Sequence, residues 1–288
     1  LHGYYLNVKI LFDYLKKADK KVVWTLHDCW AFTGHCANFQ YPVCDKWKTG
    51  CFDCERKTKY PKSFVDNSQK NYLEKERVFC GVKNLTVVTP SEWLARLVKE
   101  SFLGRYPTKV INNGIDTSVF RPTESDFKER NGLKDKKMIL GVANVWDEFK
   151  GINDFIGLSK KISDDYRIVL VGLDEKQLGM LPENIIGITR TNNTKELAEI
   201  YTAADVLFNP TYEDNYPTVN LEAQACETPV VTYDTGGSGE SVPKENVIAA
   251  GDVDAFLNLE KSQLKVKYID KRDKSLFIDK YLKLYHER

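Results

Sequence analysis

Short apolar runs alternate with amphipathic segments along most of the chain. The runs are rich in valine, isoleucine and leucine, as in Arg167-Ile-Val-Leu-Val-Gly172, which is typical of buried strands. The segments between them carry apolar residues at helical spacing, as at Leu6, Ile10 and Tyr14. This alternation predicts an α/β protein with parallel sheets. The predicted strands span residues 21–26, 85–89, 109–114, 138–143, 167–172, 185–188, 206–208 and 229–232. The predicted helices span residues 5–17, 65–80, 92–102, 152–161, 194–203, 217–226 and 271–286.

A polar and irregular stretch at residues 116–136 suits a linker between two lobes, and 288 residues are enough for two. We therefore expect an N-terminal lobe over residues 1–120, with a Cys-rich loop at 29–61. A second lobe follows over residues 121–270, and a C-terminal helix over 271–288. The second lobe has the pattern of a nearly complete doubly wound sheet, and such sheets bind ligands at the carboxyl ends of their strands.

Composition narrows the classes of partner. The net charge is +1, so no global field attracts nucleic acid, although a local basic patch at a membrane surface remains compatible with it. No apolar run approaches the ~20 residues that span a bilayer. These features predict a cytoplasmic protein, with peripheral association at the inner face of the cell membrane left open.

Five of the seven cysteines fall between Cys29 and Cys54. The spacing of Cys36, Cys44, Cys51 and Cys54 contains one C-x2-C pair, which is a common half of a tetrahedral zinc site. One hypothesis is therefore a structural zinc clip that holds the loop. The alternatives are reduced, partly buried thiols, or disulfides, which a reducing cytosol disfavours.

An acidic loop follows the strand that ends near residue 209. Pro217 stands where a helix would begin, and proline is favoured at the first helical position. The free N–H groups of such a helix start, near Thr218, suit a phosphate. Glu222 lies farther along the same helix, where its carboxylate could accept from the two hydroxyls of a ribose. The alternative is an acidic loop that only caps a helix.

Two further loops follow strands of the same lobe. Lys150 precedes Gly151 at a helix start, where its ammonium could clamp a diphosphate. The surrounding sequence lacks the G-x-G-x-x-G fingerprint of dinucleotide oxidoreductases, and a solvated lysine is the alternative. The loop Asp234-Thr-Gly-Gly-Ser-Gly-Glu240 lets the backbone approach a ligand closely. All three loops converge on one sheet edge, which favours a single binding site between Ala143 and Ser241.

The motifs of the second lobe resemble the retaining glycosyltransferases of family 4, which have the two-lobed GT-B fold. The resemblance is carried by Glu213-Asp-Asn-Tyr-Pro-Thr-Val-Asn-Leu-Glu-Ala223, by Cys226-Glu-Thr-Pro-Val-Val231 and by the Gly-Gly-x-x-Glu loop. Thr25-Leu-His-Asp28, Val88-Thr-Pro-Ser91 and Asn112-Asn-Gly-Ile-Asp116 resemble strand-end motifs of the family's N-terminal lobe. The His-Asp-Cys-Trp stretch and the Cys-rich loop resemble a subgroup associated with bacterial surface polysaccharides.

The resemblance assigns roles to individual residues. The first acid, near the donor sugar, is either Asp214 or Glu213. The usual spacing back from Glu222 falls on Asp214. Lys150 matches the diphosphate lysine, but Asn144, Val145 and Trp146 replace an arginine usually found before it. The catalytic set implied is His27, Lys150, Asp214 and Glu213. The donor-binding set implied is Asn144, Lys150, Tyr216, Thr218, Glu222, Gly236, Gly237 and Glu240.

The activity that the resemblance implies is transfer of a sugar from a nucleoside diphosphate to an acceptor hydroxyl with retention. It implies no essential metal or cofactor, and a glycan or lipid-linked saccharide as acceptor, in capsule, exopolysaccharide or lipopolysaccharide synthesis. Two Rossmann-like lobes would face each other across a cleft. The chain begins with Leu1, and the family's first strand and Gly-rich loop are not visible, so we expect an incomplete N-terminal lobe. The alternative is a catalytically impaired sugar-nucleotide-binding protein.

Overall fold

The computed structural model describes residues 6–260, 263–267 and 273–287. The chain divides into two compact units. One comprises the chain up to Asn112 together with the segment from Asp279, and the other comprises Asn113–Ile278.

The N-terminal unit contains a three-stranded parallel sheet in the order β1-β2-β3. Its elements before the C-terminal segment are α1 (Val8–Ala18), β1 (Val22–Thr25), α2 (Ser68–Phe79), β2 (Leu85–Thr89), α3 (Glu92–Glu100) and β3 (Thr108–Val110). The rings of Phe12, Trp24 and Phe79 join α1, β1 and α2, with centroids 4.7–5.1 Å apart. Because aromatic rings bury large apolar areas, this cluster forms the centre of the first core.

Side-chain caps determine where two of these helices begin. Asn7 accepts a hydrogen bond from the N–H of Ile10 at 3.1 Å, and α1 starts at Val8, directly after this cap. At the start of α3, Ser91 accepts a hydrogen bond from the N–H of Leu94 at 3.2 Å, and α3 begins at Glu92, where the sequence predicts it. Each cap satisfies a backbone donor that the first helical turn leaves unpaired.

The Cys-rich loop packs around buried aromatic residues between β1 and α2. All the cysteines are free thiols, and a cavity of about 180 Å³ is lined by Cys36, Cys44, Cys51 and Cys54 among others. The thiol of Cys36 is hydrogen bonded to Cys54, and Cys51 Sγ accepts from the N–H of Gly34 at 3.1 Å. Within the described ranges, no group of three or more His, Cys, Asp or Glu side chains is placed to hold a metal ion. The geometry therefore gives no support to the zinc clip, which stays a prediction.

A buried lysine anchors the start of this loop. Lys75 of α2 donates to the backbone oxygens of Trp30 at 2.7 Å and Thr33 at 2.9 Å, and its ammonium lies 3.7 Å from the centroid of the Trp30 ring. Burial lowers the pKa of Lys75 to about 7. The conformation of the turn after β1 thus depends on an amino group held away from water.

The C-terminal unit is built on a six-stranded parallel sheet in the order β6-β5-β4-β7-β8-β9. Its strands are β4 (Lys137–Val142), β5 (Tyr166–Val171), β6 (Ile185–Ile188), β7 (Val206–Asn209), β8 (Val230–Tyr233) and β9 (Val247–Ile248). The helices are α4 (Phe127–Arg130), α5 (Ile152–Ser159), α6 (Glu175–Leu178), α7 (Thr194–Ala203), α8 (Thr218–Ala225), α9 (Val253–Asn258) and α10 (Lys274–His286), which ends in the segment assigned to the first unit. The α/β class with parallel sheets that the sequence predicts is confirmed.

Both faces of this sheet are covered, which explains its apolar strands. Met138 and Leu140 of β4 belong to one core cluster, whereas Ile139 between them belongs to another. The chain adds β5 and β6 on one side of β4, and then β7, β8 and β9 on the other. The order reverses between β4 and β7, and such a switch point is where open α/β sheets bind ligands.

Several boundaries differ from the sequence expectation, among them the division between the two units and the start of α8. Ile115 and Phe120 pack in a core of the second unit, which favours a division before the expected boundary at residue 120. Pro217 is the cap residue of α8, with ψ of 125°, and the helix begins at Thr218 rather than at the proline. Residues 1–5, 268–272 and 288, on which parts of the predicted elements fall, lie outside the described residues. No helix in the described part of the chain has both the length and the apolar character to cross a membrane.

Candidate functional site

A pocket of about 790 Å³ opens at the carboxyl ends of β4, β5 and β6 in the C-terminal unit. The loops after β4, β5 and β6 line it, together with the first turns of α7 and α8. The lining residues include Asn144, Thr218 and Glu222, which the sequence assigned to the donor site. Asn144 is therefore brought together at the sheet edge with Thr218 and Glu222, which lie far from it in the sequence.

The first residue after β5 must be a glycine for the pocket to have this shape. Gly172 has φ of +99°, a conformation that residues with a side chain rarely adopt. A Cβ atom there would lie 1.7 Å from the backbone oxygen of Ala143. The loops after β4 and β5 can approach each other only because this side chain is absent.

The start of α8 supplies backbone donors and a carboxylate to the pocket. Thr218 and Val219 line the pocket from the first turn, and the cap residue of this helix, Pro217, forms no side-chain cap hydrogen bond. Its first N–H groups and the positive end of its dipole therefore suit an anion. Glu222 lies one turn farther along and also lines the pocket.

The Glu222 carboxylate is held by two hydroxyl groups. Tyr201 donates to Glu222 Oε2 at 3.0 Å, and the Thr218 side chain also forms a hydrogen bond to this carboxyl. Burial raises the pKa of Glu222, and the two hydrogen bonds oppose this effect because they favour the charged form. A carboxylate has about four acceptor positions. Glu222 therefore keeps acceptor capacity for the two vicinal hydroxyls of a sugar.

Lys150 and Asp214 form an ion pair next to the glycine loop. Lys150 Nζ lies 2.7 Å from Asp214 Oδ2, and the two side chains are 35% and 19% exposed. The N–H of Gly237 donates to the backbone oxygen of Asp214 at 3.1 Å. The loops after β4, β7 and β8 thus meet around these residues. Neither Lys150 nor Asp214 lines the pocket described above, so they form a neighbouring group.

A buried polar network fixes the glycine loop to α8. Asn220 is fully buried, accepts from Asn209 Nδ2 at 2.8 Å, and donates to Ser241 Oγ at 2.9 Å. Gln224 donates to the backbone oxygen of Ser241 at 3.0 Å. Buried amides are costly unless paired, so this network holds the loop in one arrangement.

The remaining predicted residues occupy distinct places. Gly236 adopts φ of +55°, and Glu240 lies in the short 3₁₀ turn Gly239–Ser241. Glu213 and Tyr216 are buried in the acidic loop before α8, where the backbone oxygen of Tyr216 accepts from Asn113 Nδ2 at 3.0 Å.

His27 belongs to the N-terminal unit. It lies two residues after the end of β1, its side chain is exposed, and its catalytic role stays a prediction.

Sequence reasoning missed one wall of the pocket. Residues 189–194, which follow β6, include Arg190 and Asn192, and both line the pocket. The usable signal was positional, since any loop after a strand of this parallel sheet opens on the same edge. Tyr201 was missed because its α7 position looks like that of an ordinary core residue.

The C-terminal unit is similar to a known enzyme family. Residues 136–259 match the family described as Glycosyl transferases group 1. This range contains all six strands of the C-terminal sheet and every residue that lines the pocket. The part of the chain that forms this sheet and this pocket is therefore similar to the glycosyl transferases of group 1.

Two curated relatives extend the comparison. The chain is 25% identical over 274 residues to an Escherichia coli K12 protein named as a colanic acid biosynthesis glycosyl transferase, WcaC, covering 92% of this chain and 66% of that protein. It is 28% identical over 144 residues to the D-inositol 3-phosphate glycosyltransferase of Stackebrandtia nassauensis, covering 43% of this chain and 32% of that protein. The chain thus spans less than two thirds of the length of either relative.

Two solved structures share the fold. HepE of Anabaena, in complex with UDP, superposes with a TM-score of 0.68 at 16% identity, covering 96% of this chain and 75% of that chain. Sucrose-phosphate synthase of Thermosynechococcus elongatus superposes with a TM-score of 0.63 at 20% identity, covering 81% and 64%. These neighbours are GT-B glycosyltransferases, so the fold class expected from the sequence is confirmed.

Proposed function

We propose that the protein transfers a sugar from a nucleoside diphosphate to an acceptor hydroxyl, and that the pocket of the C-terminal unit binds the nucleotide. The observation that carries the proposal is Glu222 at the pocket wall, one turn from the start of α8, where Pro217 forms no side-chain cap hydrogen bond. A helix start binds phosphate and a carboxylate binds a ribose diol, so one helix can read both parts of a nucleotide.

UDP is the nucleotide we propose. The solved structure of HepE contains UDP, and its fold matches nearly all of this chain. The pocket of about 790 Å³ is large enough for a nucleotide, since small-molecule sites commonly measure about 300–1,000 Å³.

Lys150 and one acid complete the proposed donor site. Lys150 would neutralise the diphosphate, which gains charge as the sugar leaves. Asp214 is our choice for the first acid, since its carboxylate already contacts Lys150. Glu213 remains the other candidate. We further propose retention of configuration, and an acceptor that is a glycan or lipid-linked saccharide in surface polysaccharide synthesis, supported by the similarity to the colanic acid relative.

The first experiment measures UDP affinity by calorimetry for the wild type and for Glu222→Gln. Glutamine keeps the size of the side chain but loses the charge, so we expect affinity to fall by about tenfold or more, because hydrogen bonds to charged groups contribute ~1.5–3 kcal/mol. Glu183→Gln is the matched control, because Glu183 is exposed and does not line the pocket. Equal affinities for the wild type and Glu222→Gln would show that the site is wrongly placed.

Activity is tested separately by the release of UDP from UDP-sugars in the presence of saccharide acceptors. The anomeric configuration of the product, read by NMR, tests retention. UDP binding without any transfer would favour a sugar-nucleotide-binding protein instead. A thermal-shift comparison of UDP, GDP and ADP tests the base, since a ligand at 100 times its Kd adds about 2.7 kcal/mol of stability.

A further inference from the structure

Tyr201 is a fully buried tyrosine whose hydroxyl group contacts the proposed nucleotide site. Its side chain is 0% exposed, and its ring packs edge-on against Phe120 with centroids 6.1 Å apart. Its hydroxyl donates to Glu222 Oε2 at 3.0 Å. A buried tyrosine hydroxyl needs a partner, and here that partner is a carboxylate at the pocket wall.

The hydrogen bond reaches Glu222 from inside the protein. Glu222 lines the pocket, whereas Tyr201 does not, although Leu197, one turn earlier on α7, does. The backbone oxygen of Tyr201 also accepts from Thr228 Oγ1 at 2.5 Å, which ties the end of α7 to the segment after α8. Tyr201 is therefore held at its hydroxyl group and at its backbone oxygen. Its contact with Glu222 leaves the pocket side of the carboxylate free for a ligand.

We propose that Tyr201 is a positioning residue that orients the Glu222 carboxylate toward the ribose hydroxyls of the bound nucleotide. This inference rests on the proposed function, because it assumes that Glu222 binds the ribose. Tyr201 would act through Glu222 and would not touch the nucleotide. A fixed carboxylate loses less conformational freedom on binding than a mobile one, so the contact contributes to affinity.

The same contact also tunes the ionisation of Glu222. Burial raises the pKa of this carboxyl, and the hydrogen bonds from Tyr201 and Thr218 lower it. The Cys226 thiol at the end of the same helix interacts electrostatically with this carboxylate, and the charged side chains of Asp174 and Arg190 line the same pocket. A ribose donates to the ionised carboxylate, so nucleotide affinity should decline as the pH falls through the pKa of Glu222. Loss of the Tyr201 hydroxyl should shift this decline to higher pH.

The test compares Tyr201→Phe with Tyr233→Phe in otherwise intact protein. Tyr233 is a matched control because it is fully buried in the same unit, and its hydroxyl donates to a different carboxylate, Asp154, at 2.9 Å. Calorimetry with UDP is run from pH 5 to pH 8, and all variants share the ionisation of UDP itself. We expect Tyr201→Phe to weaken UDP binding ~10-fold and to shift its acidic limb upward by about one pH unit. Tyr233→Phe should change neither quantity.

A second measurement does not depend on binding. The pKa of Glu222 can be followed by NMR of its side-chain carboxyl carbon in the free protein, and we expect a higher value in Tyr201→Phe than in Tyr233→Phe. Equal affinity, equal pH profile and equal pKa in the two variants would overturn the inference. If those results came with weak UDP binding by Glu222→Gln, the proposed function would hold and only the role of Tyr201 would be refuted. If Glu222→Gln bound UDP normally, the proposed function itself would fail.

Discussion

Replacing Lys150 by methionine tests the proposed diphosphate contact most directly. Methionine keeps much of the aliphatic stem and removes the charge. In the free protein the ammonium lies 2.7 Å from Asp214 Oδ2, with the lysine about one-third exposed. Partly exposed ion pairs contribute only ~0.2–1 kcal/mol, so the variant should fold with nearly unchanged stability. Any large loss of nucleotide affinity would then come from the missing contact with phosphate.

The size of that loss follows from two opposing terms. A hydrogen bond to a charged group contributes ~1.5–3 kcal/mol. Binding the phosphate requires Lys150 to give up part of its contact with Asp214, which costs up to ~1 kcal/mol. The net effect of Lys150→Met on UDP affinity is therefore about 0.5–3 kcal/mol, or roughly 2- to 160-fold. The loss should be smaller for a UDP-sugar, because its diphosphate carries less charge than the UDP that departs. Turnover should consequently fall more than donor affinity.

Calorimetry with UDP and with a UDP-sugar measures both losses. Lys161→Met is the control, since Lys161 forms an exposed ion pair with Asp254 in the same unit, outside the pocket. Asp214→Asn provides the opposite perturbation, because it frees Lys150, and UDP affinity should stay equal or increase a few-fold. Two results would refute the reasoning. One is a Lys150→Met variant that binds UDP as Lys161→Met does, and the other is an Asp214→Asn variant that loses as much UDP affinity as Lys150→Met.

Two predictions concern stability. Gly172→Ala should destabilise the C-terminal unit by at least ~1–3 kcal/mol in urea unfolding, because residue 172 has a positive φ and an added Cβ would clash with Ala143. Gly157→Ala in α5 is the control, because an added Cβ there meets nothing within 4 Å. The control should leave the unfolding free energy unchanged or raise it by up to ~1 kcal/mol. Similar destabilisation by both would contradict this. Lys75 should make the unfolding free energy of the N-terminal unit rise between pH 7 and pH 9, by at most ~1.4 kcal/mol per pH unit, because the unfolded chain keeps a proton on Lys75 that the folded chain gives up. Cys36 and Cys51 oppose this rise, because the hydrogen bond to Cys54 raises the pKa of Cys36 and burial raises the pKa of Cys51. The contribution of Lys75 is therefore the difference in slope between the wild type and Lys75→Met. Tryptophan fluorescence in a Trp146→Phe background reports this unit, and a slope that Lys75→Met leaves unchanged would exclude this lysine as its source.

The sequence determines the order and type of the secondary-structure elements. The strand at 185–188 and the helix at 194–203 have the limits that the pattern predicts. Their signals are local, since apolar spacing and caps such as Ser91 act within a few residues. The sequence also places Asn144, Thr218 and Glu222 after strands of one parallel sheet, which is enough to bring them to one edge.

Only the tertiary structure decided which side chains touch. The pairing of Lys150 with Asp214 and of Tyr201 with Glu222 joins residues on different loops and helices. These contacts depend on the strand order and on how α7 packs against α8, and no local pattern contains that information. The pocket wall at residues 189–194 became visible for the same reason, because β6 takes its place beside β5 only in the assembled sheet. Local periodicity thus determined the elements of this protein, and long-range packing decided the geometry of its candidate site.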